Sequence, residues 1–203
     1  MSVTAVSTDG PAKPVKSRDS GDEDPILHLV CTFYKDLYYA RGIKMIKILF
    51  VCWGNICRSP MCEFVMKDMV EKAGLADHFY IESAATSSEE IWGGRGNPVY
   101  PPAREELARH GLHCDGKYAR KMTKDDYDRF DYLIGMEQLN IRYMLQIAGG
   151  DPEGKISTLL SFAGLDRGIA DPWYTGDFRS TYKDVVLGCE ALMQHVIKNG
   201  EIH

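Results

Sequence analysis

The chain has 203 residues, 44% of them apolar and 26% charged, with a formal net charge of −5. That length suits one domain with a buried core, and the acidic balance argues against a nucleic-acid partner, which needs a basic surface. No stretch is long and apolar enough to span a membrane, and residues 1–25 lack the apolar run of a secretory signal, so a cytoplasmic protein without membrane insertion is expected.

Residues 1–24 hold few large apolar side chains and no periodicity, and read as a disordered tail. Residues 25–44 are aromatic-rich and read as an extension able to form a short helix. Met45 opens the domain-sized block 45–203 and would also serve as a start; the sequence leaves both readings open. Residues 46–51 (IKILFV) are short, β-branched and apolar, as a buried strand is. A Gly-containing turn over 52–59 leads into a helix that ends at Ala73 before Gly74. Strand 79–84, helix 102–110 before Gly111, and short helix 124–129 follow. Then come strand 132–136, helix 137–147 before Gly149, a fourth strand within 156–162, and a long closing helix over 177–198. Strands alternating with helices predict a three-layer α/β fold: an open four-stranded parallel sheet with helices on both faces.

Six cysteines are present: Cys31, Cys52, Cys57, Cys62, Cys114 and Cys189. In a cytosolic chain they read as free thiols, and their spacing matches no zinc site. Cys52 stands apart because it ends a strand and begins a loop that feeds a helix, the place where open α/β sheets bind ligands. Unsatisfied N–H groups at a helix start, and the dipole behind them, favour an anion. Gly54 lets the backbone curl, and Pro60 suits the first helical turn. In that setting a thiol is favoured as thiolate. Arg58, six residues on, can lay a planar fork on a bound phosphate, which lysine cannot. Ser59 can donate to the sulfur. The pair Cys52 and Arg58 alone also fits an ordinary core cysteine, since free cysteine is usually buried; the strand–loop–helix placement favours a phosphate site, with a cysteinyl-phosphate intermediate.

The run Val51-Cys52-Trp53-Gly54-Asn55-Ile56-Cys57-Arg58-Ser59-Pro60 resembles the phosphate-binding loop of the low-molecular-weight protein tyrosine phosphatases. Further stretches follow in the family's order: Ser83-Ala84-Ala85-Thr86, Arg109-His110-Gly111, Phe130-Asp131-Tyr132 and Asp171-Pro172-Trp173-Tyr174. The resemblance spans roughly 45–198. It implies hydrolysis of phosphotyrosine, with Cys52 as nucleophile, Arg58 as phosphate clamp and Asp171 as general acid, then base. Taken alone, Asp171-Pro172 is a common turn, and the acid role rests on the resemblance. Also implied are a phosphate-binding loop of Trp53, Gly54, Asn55, Ile56, Cys57 and Ser59, and a supporting frame in which Ser83 and His110 join Asn55 and Ser59. On the same footing Cys57 would protect the nucleophile through a reversible disulfide, against the plain reading of a packed small side chain.

Trp173 and Tyr174 would wall the substrate groove. Many relatives carry an aromatic residue where Glu89 stands; Trp92 would replace it if its loop folds back. Glu89 and Glu90 at the rim would favour basic phosphopeptides over acidic ones. Two relatives of the same fold compete. Arsenate reductases need clustered downstream cysteines, and 116–188 holds none. Protein arginine phosphatases prefer Thr where Ile56 stands. A non-catalytic phosphotyrosine-binding module, the reading outside enzymes, would lack the Cys, the Arg or the Asp. No metal or organic cofactor is implied, because loop amides and Arg58 supply the charge stabilisation. The expected partner is a phosphotyrosine-containing protein or a small aryl phosphate, and the oligomeric state is not legible.

Overall fold

Alternation along the first strand decides the layering. In β1 (Ile46–Cys52), Ile48 and Phe50 face one side of the sheet, while Leu49 and Val51 face the other, and all four are fully buried. The computed structural model describes residues 45–198, so the tail and the 25–44 extension lie outside the described residues.

Four parallel strands pair in the order β2-β1-β5-β6. They are β1, β2 (Phe79–Ala85), β5 (Tyr132–Gly135) and β6 (Ile156–Thr158). A separate antiparallel hairpin joins β3 (Ile91–Trp92) to β4 (Arg95–Gly96). On the Ile48/Phe50 face lie α1 (Arg58–Lys72), α2 (Pro101–Arg109) and the long C-terminal helix α6 (Phe178–Lys198), through Met61, Val65, Met66, Leu107, Val185 and Leu192. On the other face α3 (Asp125–Arg129) and α4 (Gln138–Ala148) supply Tyr127 and Met144. Each fully buried Leu, Ile or Phe contributes roughly 1.5–3 kcal/mol, so the two apolar layers hold the sheet from both sides. The predicted three-layer α/β architecture is the one observed.

Two local features become specific. Within 156–162 the expected strand is Ile156–Thr158; Leu159–Ala163 is a 3₁₀ turn closed by Gly164 at φ 71°. Leu159 and Leu160 leave the sheet to pack under α6, which ends the strand early. Asp171 is followed by a one-turn helix, α5 (Pro172–Thr175), with proline at its first position.

β1 sits in the middle of the sheet, between β2 and β5. Its C-terminal end is therefore flanked by the ends of β2 and β5, so Cys52 emerges where side chains from several elements converge.

Candidate active site

The loop from Cys52 to α1 is held in a shape that ordinary backbone does not adopt. Asn55 has φ 58°, the positive-φ non-glycine residue among those described. Its side chain maintains the strain: Asn55 Nδ2 donates to Ser59 Oγ at 3.0 Å and to Ser83 Oγ at 2.8 Å, and its Oδ1 accepts from the Arg120 N–H at 3.0 Å. The Asn55 N–H points back to Cys52 Sγ at 3.3 Å, and Ser59 Oγ lies 3.0 Å from the same sulfur. The Asn55 N–H and the Ser59 hydroxyl thus converge on one buried sulfur.

The backbone N–H groups of Gly54, Ile56, Cys57, Arg58 and Ser59 have no hydrogen-bond partner among the described residues. Orphan amides around a Cys at a helix start form an oxyanion cradle. Gly54 belongs there for space: a Cβ would stand 2.9 Å from Glu90 Cγ.

Arg58 is buried, and its fork is engaged on both sides. One nitrogen donates to Glu137 Oε1 at 2.7 Å and to the Ile169 carbonyl at 3.1 Å; the other donates to Asp171 Oδ2 at 2.5 Å. Burial works against its charge, but the Cys52, Asp171 and Glu137 charges outweigh burial and keep it protonated. Asp171 Oδ1 accepts from the Trp173 N–H at 3.1 Å and so caps α5. The loop therefore brings the predicted acid to the predicted clamp.

Glu137 was not anticipated. It follows the C-terminal end of β5, the strand beside β1, and that position was the available signal.

The supporting frame departs from expectation at His110. That ring stacks on Tyr182 at 3.8 Å and lies 3.3 Å from Glu106, at the far end of α2. Ser83 Oγ instead donates to Glu63 Oε2 at 2.6 Å, and Lys117 Nζ lies 2.6 Å from the same oxygen. Lys67 reaches the other Glu63 oxygen at 2.6 Å. Burial pushes the Glu63 carboxyl up, but the Lys117 and Lys67 charges overcome it and hold it below its ordinary value. A buried ion pair, and not His110, stands beneath the loop. The Lys67–Glu63 spacing on α1 was legible as a helical pair; Lys117 was not, because it lies in a loop.

Around the cradle, Ile56, Cys57 and Ala119 form a small apolar cluster with Ile91, Tyr100 and Phe178. Tyr100 packs against Trp173 at 4.9 Å, and Trp173 is 55% exposed. Tyr174 is 85% exposed and makes no wall in this state. Trp53 meets Tyr143 edge-on at 5.2 Å and donates through Nε1 to Glu89 Oε2 at 2.7 Å. Glu89 thus stands beside the loop residue Trp53. Trp92 does not join the groove: it lines a different pocket with Arg95, Pro98 and Tyr118, because strand alternation turns it away from Ile91. Cys52 and Cys57 are both free thiols. Burial pushes the Cys57 thiol up, and the Cys52 and Asp171 charges add to that.

Comparison with known proteins identifies the family. The family model described as low molecular weight phosphotyrosine protein phosphatase matches residues 47–201. The low molecular weight protein-tyrosine-phosphatase YfkJ of Bacillus subtilis is 37% identical over 161 residues, covering 78% of this chain and all (100%) of the relative. A phosphotyrosine protein phosphatase of Drosophila melanogaster is 36% identical over 156 residues, covering 73% of this chain and 95% of its own length. The crystal structure of YfkJ superposes with a TM-score of 0.73 over 78% of this chain and 98% of that one. The crystal structure of a Drosophila arginine phosphatase is 32% identical, with a TM-score of 0.66 over 74% of this chain and 97% of that one. By sequence and by fold, the chain belongs to the low molecular weight phosphotyrosine protein phosphatase family.

Proposed function

We infer that the protein is a protein-tyrosine phosphatase that hydrolyses phosphotyrosine in two steps at Cys52. The Cys52 thiolate attacks phosphorus, the bond from phosphorus to the tyrosyl oxygen breaks, and the Asp171 carboxylic acid gives its proton to that oxygen. Water then attacks the cysteinyl phosphate, its proton passes to the Asp171 carboxylate, and the sulfur–phosphorus bond breaks to release inorganic phosphate. Ser59 Oγ, 3.0 Å from the sulfur, donates to it as it leaves. The loop amides and Arg58 hold the phosphoryl oxygens throughout.

The observation that carries this reading is the convergence of Asn55 N–H and Ser59 Oγ on Cys52 Sγ inside a ring of unpartnered amides. The Arg58–Asp171 pair adds a device for timing. An incoming phosphate competes for the guanidinium fork and frees Asp171 to turn toward the leaving oxygen.

The Ile56 cluster and the Tyr100–Trp173 ring pair offer apolar surface beside the cradle for a phenyl ring. The two rim carboxylates, Glu89 and Glu90, disfavour an acidic residue next to the phosphotyrosine. A cytoplasmic setting belongs to the same proposal, since a compartment that keeps thiols reduced suits a cysteine nucleophile. The substrate is a phosphotyrosine-containing protein or a small aryl phosphate.

One observation favours a second reading: the 32% identity to an arginine phosphatase. Ile56, bulky and apolar beside the cradle, favours the aryl ester over a guanidinium phosphate. Catalytic efficiency on matched phosphotyrosine, phosphoserine and phosphoarginine peptides separates them. Phosphotyrosine is expected to turn over fastest, with no turnover by Cys52→Ser; faster hydrolysis of phosphoarginine would reject the assignment.

A further inference from the structure

The β3–β4 hairpin grows out of the wall of the phosphate site. At its base Ile91 packs on the Ile56 cluster, the Asn97 N–H donates to the Glu90 carbonyl at 2.8 Å, and the Tyr100 N–H donates to the Ile56 carbonyl at 2.9 Å. Gly96 lies so close to the next segment that a Cβ would stand 1.8 Å from the Ala119 carbonyl oxygen, so the hairpin is docked tightly. Its tip is different in character. Gly93 and Gly94, at φ 56° and 80°, turn the chain, and Trp92 is 73% exposed. Arg95 holds its guanidinium 5.2 Å over the Tyr118 ring. Trp92, Arg95, Asn97, Pro98 and Tyr118 line a pocket of about 360 Å³.

The charges along this surface change sign. Among the described residues no lysine or arginine pairs with Glu89 or Glu90, whose carboxylates accept from the neutral donors Trp53 Nε1 and Asn97 Nδ2 at 2.7 Å each. No carboxylate among the described residues pairs with Arg95. The rim next to the cradle is therefore acidic, and the hairpin beyond it carries an uncompensated cation over the exposed Tyr118 ring, in a pocket that the exposed Trp92 also lines.

We propose that the hairpin is a docking arm for the peptide chain flanking the phosphotyrosine, and that the Trp92–Arg95–Tyr118 pocket takes an acidic side chain of that chain. The Arg95 fork receives its carboxylate, and its methylene stem lies on the Trp92 ring. The occupant is the substrate's own chain because the arm is continuous with the wall of the phosphate site. The preference for charge thus reverses along the substrate: basic beside the phosphotyrosine, facing Glu89 and Glu90, and acidic further out, facing Arg95. The proposal rests on the phosphatase reading.

The test uses the full-length protein and phosphotyrosine peptides in which Glu, Lys or Ala is placed in turn at each position on both sides, with p-nitrophenyl phosphate as a substrate too small to reach the arm. Lys is expected to be preferred next to the phosphotyrosine, and Glu at an outer position on one side, each by about fivefold in kcat/KM and less at high salt. Arg95→Glu is expected to turn the outer preference from Glu to Lys while kcat/KM on p-nitrophenyl phosphate stays unchanged. Trp92→Ala is expected to weaken the outer preference without reversing it. The arm is overturned if no outer position favours Glu, or if Arg95→Glu leaves that preference intact. If the unaltered protein turns over neither p-nitrophenyl phosphate nor any peptide, the phosphatase reading falls first, and the arm with it.

Discussion

Asn55 carries more of the site than its uncharged side chain suggests. It accepts a backbone conformation that costs on the order of 1–3 kcal/mol and ties the loop to Ser59, Ser83 and Arg120 in return. Asn55→Ala removes those bonds and keeps the strain, so kcat/KM on an aryl phosphate is expected to fall by roughly 10- to 100-fold. The fold should survive, which circular dichroism checks. Beneath Asn55, Glu63 owes its charge to Lys117 and Lys67. Its folded value lies below its ordinary value of 4.5, so its contribution to stability is fully present above that pH and is lost as pH falls through the lower folded value. Glu63→Gln should therefore flatten the acid limb of a stability–pH profile, and an unchanged limb would contradict the ion pair. Lys117→Met should lower kcat/KM, with partial rescue by Lys117→Arg, because the buried Glu63 oxygen that Ser83 contacts then loses its cation and only Lys67 remains on the other oxygen. Resemblance suggested His110 for this place. His110 ends α2 and stacks on Tyr182, a contact to α6 that no local pattern announces.

At the scale of elements, helix stops were the most legible features. Gly74, Gly111 and Gly149 adopt φ 66°, 76° and 83°, each just past a helix whose apolar periodicity had already marked it. The fourth strand could be placed only somewhere within 156–162, because Ile156, Leu159, Leu160 and Phe162 give a short, mixed apolar run that does not distinguish a strand from a buried turn. The structure supplies the reason for the break. Gly188 in α6 lies against Leu159, and a Cβ there would stand 2.5 Å from Leu159 Cγ. Gly188→Ala should push the 3₁₀ turn off α6 and destabilise the protein by about 1–3 kcal/mol, read as a lower Tm. The hairpin escaped sequence reading because its strands are two residues each, too short for alternation to show.

For the whole molecule, anion binding and folding are linked through the first turn of α1. Phosphate or vanadate bound in the cradle binds the folded chain alone. At about 100 times its Kd it should therefore stabilise by about 2.7 kcal/mol. Thermal unfolding should shift upward by roughly 5–10 °C for a domain of this size, and Arg58→Ala should abolish most of the shift. Equal shifts in both proteins would place the anion elsewhere. Among the described residues no helix is long and apolar enough to cross a membrane.

The sequence by itself determined a strand followed by a cysteine, a glycine-containing loop that carries an arginine, and a helix beginning at about Ser59 or Pro60. These are local matters of periodicity, turn chemistry and orphan amides, and they were enough to propose an anion at Cys52. Tertiary structure alone decided what surrounds that anion. Arg58 meets Glu137 and Asp171 from 79 and 113 residues away, and Ser83 rests on Glu63 and Lys117 while His110 lies elsewhere. Those contacts join elements brought together by the packing of β5, α1 and the 117–121 segment around β1. Only the register of that packing determines which distant side chain fills each place.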